Sequence, residues 1–236
     1  MTFKRIGMVT EGPTDQEVLR ILLPAASLKV ISYEFDSLQP RSDRTSSGGG
    51  QKGGWELVYK WCMNNHPELR RQMIVGGGLF STSSSYDALL IHLDSDVCER
   101  ISDNTNVDRY CYDLSGPVGR GQYVEAVLTD WLWPAGVDRD DLQWTIIAPA
   151  VESVESWLVA GLTQETTPEA DKNPDLTLLR WDCQDKKRPF PEEATGISRK
   201  TSIRYKEFAK RAVKNIDRIG KKCPHFAALI QKVTAL

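Results

Sequence analysis

Short apolar runs alternate with amphipathic segments along most of the chain. Apolar runs of about four to eight residues between turn-forming residues are typical of buried strands, and apolar positions three or four apart are typical of helices. This alternation predicts an α/β fold with a mostly parallel sheet and helices on both of its faces. The predicted strands lie near 4–10, 29–38, 88–94 and 141–150. The predicted helices lie at 14–23, 55–65, 121–133, 151–161, 198–219 and 223–233.

The first predicted strand stops at an acidic turn with the sequence EGPTD. The helix that follows is expected to begin with Thr14 as its N-cap and to end at Pro24. Glu11 then lies at the carboxyl end of a strand, and Asp15 lies in the first turn of the helix. An acidic residue in a first turn commonly interacts with the helix dipole, which explains Asp15 better than it explains Glu11.

The strand predicted near 88–94 leads into two aspartates, Asp94 and Asp96, that are separated by one residue. Side chains alternate along a strand, so these aspartates share a face if the strand continues that far. Two carboxylates so close repel each other, and a divalent cation with oxygen ligands is the usual compensation. An acidic turn after a core strand is the alternative interpretation.

A third pair of acids follows the last predicted strand. Glu152 and Glu155 are three residues apart and are expected on one face of the helix at 151–161. Parallel strands bring their carboxyl ends to one edge of the sheet, where these acids can hold one or two Mg²⁺ or Mn²⁺ ions. The candidate metal ligands are Glu11, Asp15, Asp94, Asp96, Glu152 and Glu155.

The composition is that of an ordinary soluble globular protein, with 40% hydrophobic and 26% charged residues. No apolar run approaches the roughly 20 residues of a membrane span, and the N-terminal sequence lacks a signal-peptide pattern. The cysteines are scattered, and the histidines lack zinc-site spacing and are expected in the core or on the surface. We therefore expect a reduced, cytoplasmic protein that does not associate with membranes.

Charge is distributed unevenly along the chain. The segment 186–222 carries a formal charge of +9, whereas the rest of the chain sums to −11. The basic segment could present phosphate to an acidic metal site, or it could be a solvated basic helix. The basic, Gly- and Ser-rich stretch 41–54 could close over a phosphate backbone, or it could be a flexible connection. The candidate nucleic-acid-binding residues are Arg41, Arg44, Lys52, Lys200, Arg204, Lys206, Lys210 and Lys214.

The order of these motifs resembles the Toprim fold, the catalytic domain of topoisomerases, primases and nucleases of the overcoming-lysogenization-defect (OLD) family. The similar features are a strand that ends in an acid before a Gly turn and a helix (VTEGPTD), and a later strand that ends in DxD (HLDSD). Over nearly its whole length the chain is similar to the Toprim-like DUF4276 family, in EGPTD, in PAVESVESWLVAG and in a terminal CPHF segment. The loops 41–54 and 98–119 do not align with that family, which leaves the substrate contacts open.

The resemblance implies a Rossmann-like Toprim catalytic core at 1–161, followed by a connection and a basic helical segment at 162–236 that pack on the core. It implies Glu11, Asp94 and Asp96 as catalytic residues, with the two aspartates as a metal-binding pair and Asp15 as a further ligand in an OLD-like two-metal site. It also implies a Mg²⁺- or Mn²⁺-dependent nuclease acting on DNA or RNA, as the effector of a prokaryotic defence system with an ATPase partner.

Two other functions stay open at this point. A phosphatase of the HAD type, using Asp94 and Asp96, fits LLIHLDSDV, although that motif normally opens the domain and would leave Glu11 without a role. A non-catalytic Toprim-like subunit with a binding or regulatory role is the other alternative. Metal-dependent cleavage of nucleic acid separates a nuclease from a non-catalytic subunit, and turnover of p-nitrophenyl phosphate indicates a phosphatase.

Overall fold

In the described part of the chain, the sheet has four strands, all parallel. The computed structural model describes residues 2–27, 31–40, 54–75, 85–191, 193–194, 196–197 and 200–236. The strands are β1 (Thr2–Val9), β2 (Ile31–Gln39), β3 (Ala88–Asp94) and β4 (Thr145–Ala150). Their order in the sheet is β2-β1-β3-β4, and each neighbouring pair is parallel. All carboxyl ends therefore lie at one edge, as in a Rossmann-like fold.

Helices cover both faces of the sheet, which confirms the predicted α/β class. The described helices are α1 (Pro13–Ala26), α2 (Trp55–Asn64), α3 (Pro67–Val75), α4 (Pro117–Leu132), α5 (Glu155–Leu162), α6 (Pro174–Asp185), α7 (Ser202–Ala212), α8 (Ile216–Lys222) and α9 (Pro224–Thr234). Within the described part of the chain, no helix combines the length and the apolar character that crossing a membrane requires.

The two faces bury separate hydrophobic clusters, because successive side chains of a strand point in opposite directions. Leu90 of β3 belongs to a cluster with residues of α1 and of α5 to α9. Leu89 and Ile91, its neighbours in β3, belong to a cluster with residues of α2, α3 and α4. The helices after residue 162 thus complete the core on one face and pack on α1 and α5.

The backbone around the acidic residues differs from the expectation after β3 and before α5. The strand predicted near 88–94 is confirmed as Ala88–Asp94, but it does not continue to Asp96, which lies in a 3₁₀ turn at Ser95–Val97. The helix predicted at 151–161 begins only at Glu155, and Glu152 lies before it with a φ of 54°. The backbone of Glu152 is held there by two hydrogen bonds, one to the Ser95 hydroxyl at 2.7 Å and one from the Asp96 N–H at 2.9 Å. Glu152 and Glu155 therefore do not share a helical face.

The first helix also differs from its prediction at both ends. Its N-cap is Gly12 rather than Thr14, and the Asp15 carboxylate accepts a hydrogen bond from the Gly12 N–H at 2.8 Å. The helix continues past Pro24 to Ala26, since the N–H and hydroxyl of Ser27 both bond to the Leu23 carbonyl and complete the last turn.

Other differences arise where the hydrophobic pattern is weak. The segment 162–197, interpreted as a connection, contains α6, and the helix predicted at 198–219 is divided by a 3₁₀ turn into α7 and α8. Helix α3 was not predicted, because only Arg70 and Ile74 of its side chains are buried. The strand predicted at 141–150 begins at Thr145, after a short 3₁₀ turn.

Candidate active site at the carboxyl edge of the sheet

Glu11 and Asp94 meet at the carboxyl edge of the sheet. Glu11 follows β1 by two residues, and Asp94 is the last residue of β3, which pairs directly with β1. The backbone N–H of Asp94 donates a hydrogen bond to Oε1 of Glu11 at 2.9 Å. The fold thus joins two of the predicted site residues that are 83 positions apart in the sequence.

Asp94 is held in place from two further directions. Its Oδ1 accepts a hydrogen bond from the N–H of Val154, just before α5, at 3.1 Å, and lies 3.2 Å from Nε2 of the buried His92. The other ring nitrogen of His92, Nδ1, is 2.9 Å from the carbonyl oxygen of Ala148. Because a carbonyl oxygen only accepts, Nδ1 donates this hydrogen bond, which fixes the orientation of the ring so that Nε2 faces Asp94.

The carboxyl groups at this edge are buried close together, and each makes ionisation of the others less favourable. Burial, followed by the charges of Asp94 and Asp15, raises the pKa of Glu11 well above its usual value. Burial, followed by the charges of Asp15 and Glu155, raises the pKa of Asp94 in the same way. Within the described residues, neither Glu11 nor Asp15 has a Lys or Arg at ion-pair distance.

Asp15 and Asp96 differ in their surroundings. The carboxylate of Asp15 is buried and caps α1, because it accepts hydrogen bonds from the Gly12 N–H at 2.8 Å and the Thr14 hydroxyl at 3.2 Å. The Asp96 side chain is 53% exposed and lies 3.6 Å from the guanidinium of Arg100. Burial acts to raise the pKa of both carboxyl groups. Asp96 is therefore the accessible acid of the site, and Asp15 stabilises the helix start.

Glu152 is already neutralised by basic side chains of the protein. Its Oε1 lies 3.1 Å from Nε of Arg120 and 2.7 Å from Nζ of Lys172. The Glu152 side chain is only 8% exposed. Two basic side chains already lie beside this buried carboxylate, so Glu152 does not need a further cation to balance its charge.

Glu155 is neutralised in the same way on the other face of the sheet. Its Oε1 lies 2.7 Å from Nζ of Lys200, which is also 2.9 Å from Asp175, and it accepts a hydrogen bond from the hydroxyl of Tyr205. Burial acts against the charge, but the Lys200 ammonium and these hydrogen bonds lower the pKa of Glu155 to about 2. Burial and the Glu155 charge raise the pKa of Asp175 to about 6.

The predicted nucleic-acid-binding residues fall into three groups: residues paired with an acid, exposed residues, and residues outside the described part of the chain. Lys200 is the partner of Glu155, and Arg204 pairs with the buried Asp182 at 2.7 Å. Lys206 and Lys210 of α7 and Lys214 of the next turn are exposed. The remaining three, Arg41, Arg44 and Lys52, lie outside the described residues.

Four residues of this edge were missed by sequence reasoning. His92 stands two positions before Asp94, and the two-residue period of a strand places both side chains on one face, so a signal for it was present. Arg120, Lys172 and Tyr205 carry no such signal, because their acidic partners are 20 or more residues away in the sequence.

The raised pKa values predict how stability depends on pH when no cation is bound. Above the ordinary values of 4.5 for Glu11 and 3.8 for Asp94, the folded state binds more protons than the unfolded chain. The free energy of unfolding is therefore expected to increase as the pH falls from about 7 to about 5. Urea unfolding in EDTA at about pH 7 and about pH 5 measures this free energy. Asp94→Asn should reduce its increase between the two pH values. A loss of stability over the same interval would contradict the raised pKa values.

The chain was compared with known protein families, with curated proteins and with solved structures, and none of the three comparisons finds a match.

Proposed function

We propose that this chain is a divalent-cation-dependent phosphodiesterase that cleaves nucleic acid, with Glu11, Asp94 and Asp96 at its centre. The observation that supports this most directly is the contact between Glu11 and the Asp94 backbone at the carboxyl edge, where both carboxyl groups have a raised pKa. Clustered acids at this edge of an α/β sheet are well placed to bind a cation and a substrate phosphate.

The side chains of the proposed centre have the right chemistry for a divalent cation, but their present positions do not form a metal site. Glu11, Asp94 and Asp96 offer carboxylate oxygens, the ligands that Mg²⁺ and Mn²⁺ prefer, and a cation would relieve their mutual repulsion. Among the residues that the structure describes, however, no three Asp, Glu, His or Cys side chains are placed so that they could hold a metal ion together. The proposal therefore requires these carboxyl groups to move toward one another when a cation binds.

Each residue of the centre has its own role in this proposal. Glu11 is oriented by the Asp94 N–H, and Asp94 is oriented by the Val154 N–H and by His92. Asp96, which is the most exposed of the three, faces the substrate side. A bound Mg²⁺ or Mn²⁺ would supply an activated water and stabilise the leaving oxygen. Glu152 and Glu155 are not among the proposed cation ligands, because basic side chains already neutralise them.

The biological setting stays a proposal based on the resemblance to Toprim nucleases. That resemblance implies a defence effector that works with an ATPase partner. The structure contributes an all-parallel sheet with Glu11 and the aspartates at its carboxyl edge, which is compatible with such a role.

Incubation with a panel of nucleic acids tests the activity. Labelled single-stranded DNA, double-stranded DNA and RNA are each incubated with the protein and Mg²⁺, Mn²⁺ or EDTA, and the products are separated by size. Cleavage that requires a divalent cation is the expected result. Turnover of p-nitrophenyl phosphate without cleavage of any nucleic acid would indicate a phosphatase instead.

A non-catalytic nucleic-acid-binding subunit is the second candidate function. It is favoured by one observation, namely that the described residues hold no preformed group of three metal ligands. This candidate predicts that the protein binds the labelled nucleic acids with the same affinity in EDTA and in Mn²⁺, and that it cleaves none of them.

The exposed lysines of α7 and the turn after it carry a separate prediction. If these lysines guide phosphate groups, reversing the charge of Lys206, Lys210 and Lys214 to Glu should weaken nucleic-acid binding and reduce its salt dependence. Each phosphate contact that is lost lowers the slope of log K against log salt concentration by about 0.7 to 0.9. Reversing the exposed Lys60 of α2 serves as the control. An unchanged slope would identify the α7 surface as a solvated helix face.

A further inference from the structure

A lysine that sequence analysis did not single out lies beside the proposed centre. Nζ of Lys172 is 2.7 Å from Oε1 of Glu152, and the Lys172 side chain is 53% exposed, whereas that of Glu152 is 8% exposed. The buried carboxylate thus fixes the position of the ammonium, and about half of the lysine side chain still faces solvent. A cation held in this way is prepared to bind an anion, because less conformational entropy is lost on binding.

Lys172 is connected to the aspartates through the backbone of Glu152. The Glu152 N–H donates to the Ser95 hydroxyl at 2.7 Å, and the Asp96 N–H donates to the Glu152 carbonyl at 2.9 Å. These two hydrogen bonds tie the residue that anchors Lys172 to the turn that contains Asp96.

A second half-exposed lysine, Lys200, is anchored near Asp94. Its side chain is 45% exposed and pairs with Glu155. Glu155 follows Val154, and the backbone N–H of Val154 donates a hydrogen bond to Asp94. The two anchoring glutamates also have partners on opposite faces of the sheet. Glu152 contacts Arg120 of α4, which packs on one face, and Glu155 contacts Tyr205 of α7, which packs on the other.

We infer that Lys172 binds a phosphate group of the substrate that neighbours the scissile one. This inference rests on the proposed function and adds to it a substrate that carries at least one further phosphate group beside the scissile phosphodiester. Lysine suits this role because it binds phosphate as a point charge from varied directions.

Neutralisation of Glu152 explains the position of Lys172 only in part. Arg120 lies 3.1 Å from the same Glu152 oxygen and is itself buried, with 6% of its side chain exposed, but it also pairs with Glu99 at 2.7 Å. Lys172 is therefore the second cation beside these two carboxylates. An ion pair that is half exposed to water contributes little to folding stability, and the exposed part of the Lys172 side chain is still accessible to an anion.

Binding measured without a divalent cation tests the inference separately from catalysis. The probe is a fluorescein-labelled single-stranded DNA of about 20 nucleotides, and fluorescence anisotropy in EDTA gives its affinity at several salt concentrations. Lys172→Gln is expected to weaken binding about five- to tenfold at low salt and to lower the salt slope by about 0.7. Lys232→Gln is the matched control, because Lys232 is 41% exposed, pairs with Glu125 at 2.8 Å and contacts the middle of β4 through the Ile147 carbonyl.

A small substrate then distinguishes a phosphate contact from a general defect of the centre. The p-nitrophenyl ester of thymidine 5′-monophosphate has one phosphodiester and no neighbouring phosphate. With Mn²⁺, Lys172→Gln should raise the KM for the oligonucleotide by a larger factor than the KM for this ester.

The possible outcomes separate this inference from the proposed function. A loss of affinity and salt slope in Lys172→Gln, but not in Lys232→Gln, supports the inference. Equal binding by both variants overturns it, and cation-dependent cleavage by the wild type would then leave the proposed function standing. A wild-type protein that neither binds nor cleaves nucleic acid overturns both.

Discussion

Replacement of Asp94 by Asn is expected to abolish cation-dependent cleavage while leaving the cation-free protein folded. The amide of the introduced side chain keeps an oxygen that can accept the hydrogen bond from the Val154 N–H, which is 3.1 Å from Oδ1 of Asp94. The substitution removes a negative charge from a position where burial and the neighbouring carboxylates oppose that charge. Its structural cost is therefore small, and its cost to cation binding is large.

The expected size of each effect follows from the charges involved. Side chains that only support a metal ligand typically change activity or metal affinity by about 10- to 100-fold, so the loss of a ligand should exceed that range. Two unit charges 4 Å apart repel by about 4 kcal/mol at an effective dielectric constant of 20, which sets an upper limit on the stability that the cation-free variant can gain. Cleavage assays and urea unfolding in EDTA measure the two effects, and the Mn²⁺-induced rise in Tm should shrink in the variant.

Asp87, at the other end of β3, provides the control. It lies just before β3, where its carboxylate accepts a hydrogen bond from the Arg5 N–H at 2.7 Å and pairs with Lys4 at 3.2 Å. Asp87→Asn should keep full activity. Cation-dependent cleavage at the wild-type rate by Asp94→Asn would remove Asp94 from the proposed centre.

Replacement of Asp141 by Asn should destabilise the fold by about 3–5 kcal/mol, the cost typical of removing one partner of a buried ion pair. The Arg70 and Asp141 side chains are fully buried, with Nε of Arg70 2.5 Å from Oδ2 of Asp141. Asp141 also accepts a hydrogen bond from the indole of Trp133 at 2.7 Å. Without the carboxylate charge, the buried Arg70 guanidinium keeps only neutral partners among the described residues. These are the carbonyl oxygens of Asn65 and Leu132, the Trp133 ring at 5.3 Å and the introduced amide.

The adjacent residues provide a matched control. Arg71 and Asp140 form an ion pair of similar length, 2.6 Å, but their side chains are 43% and 53% exposed. Asp140→Asn should change the free energy of unfolding by less than about 1 kcal/mol, because water screens an exposed pair. Chemical denaturation of the two variants measures the contrast. Equal effects of the two substitutions would show that burial does not decide the contribution of the Arg70 pair.

A double substitution separates the charge from the packing. Arg70→Met combined with Asp141→Leu removes both charges and should recover a large part of the stability lost in Asp141→Asn, since apolar residues of similar volume can replace a buried ion pair. A double variant less stable than Asp141→Asn would instead show that the hydrogen bonds of Arg70 to Asn65 and Leu132 hold α3 in place.

The local pattern predicted the sheet better than it predicted the ends of its elements. Strand β3 was found because Ala88 to Leu93 is an almost uninterrupted apolar run, as expected for a strand buried on both faces. Whether the strand continued to Asp96 could not be predicted, because the 3₁₀ turn depends on contacts between Ser95, Asp96 and Glu152, which is 57 residues from Ser95. Helix α3 was missed because one of its two buried side chains is Arg70, whose burial depends on Asp141.

By itself, the sequence determined that this protein is an α/β protein with acids at the ends of several strands. Both properties follow from the period of the apolar positions and from the common direction of parallel strands. Only the tertiary structure decided which of those acids pair with a lysine. Glu152 and Glu155 receive Lys172 and Lys200, from 20 and 45 residues away, whereas Glu11 receives a backbone N–H of Asp94. No periodic pattern specifies such partners, because they come together only when helices from distant parts of the chain pack on the same sheet.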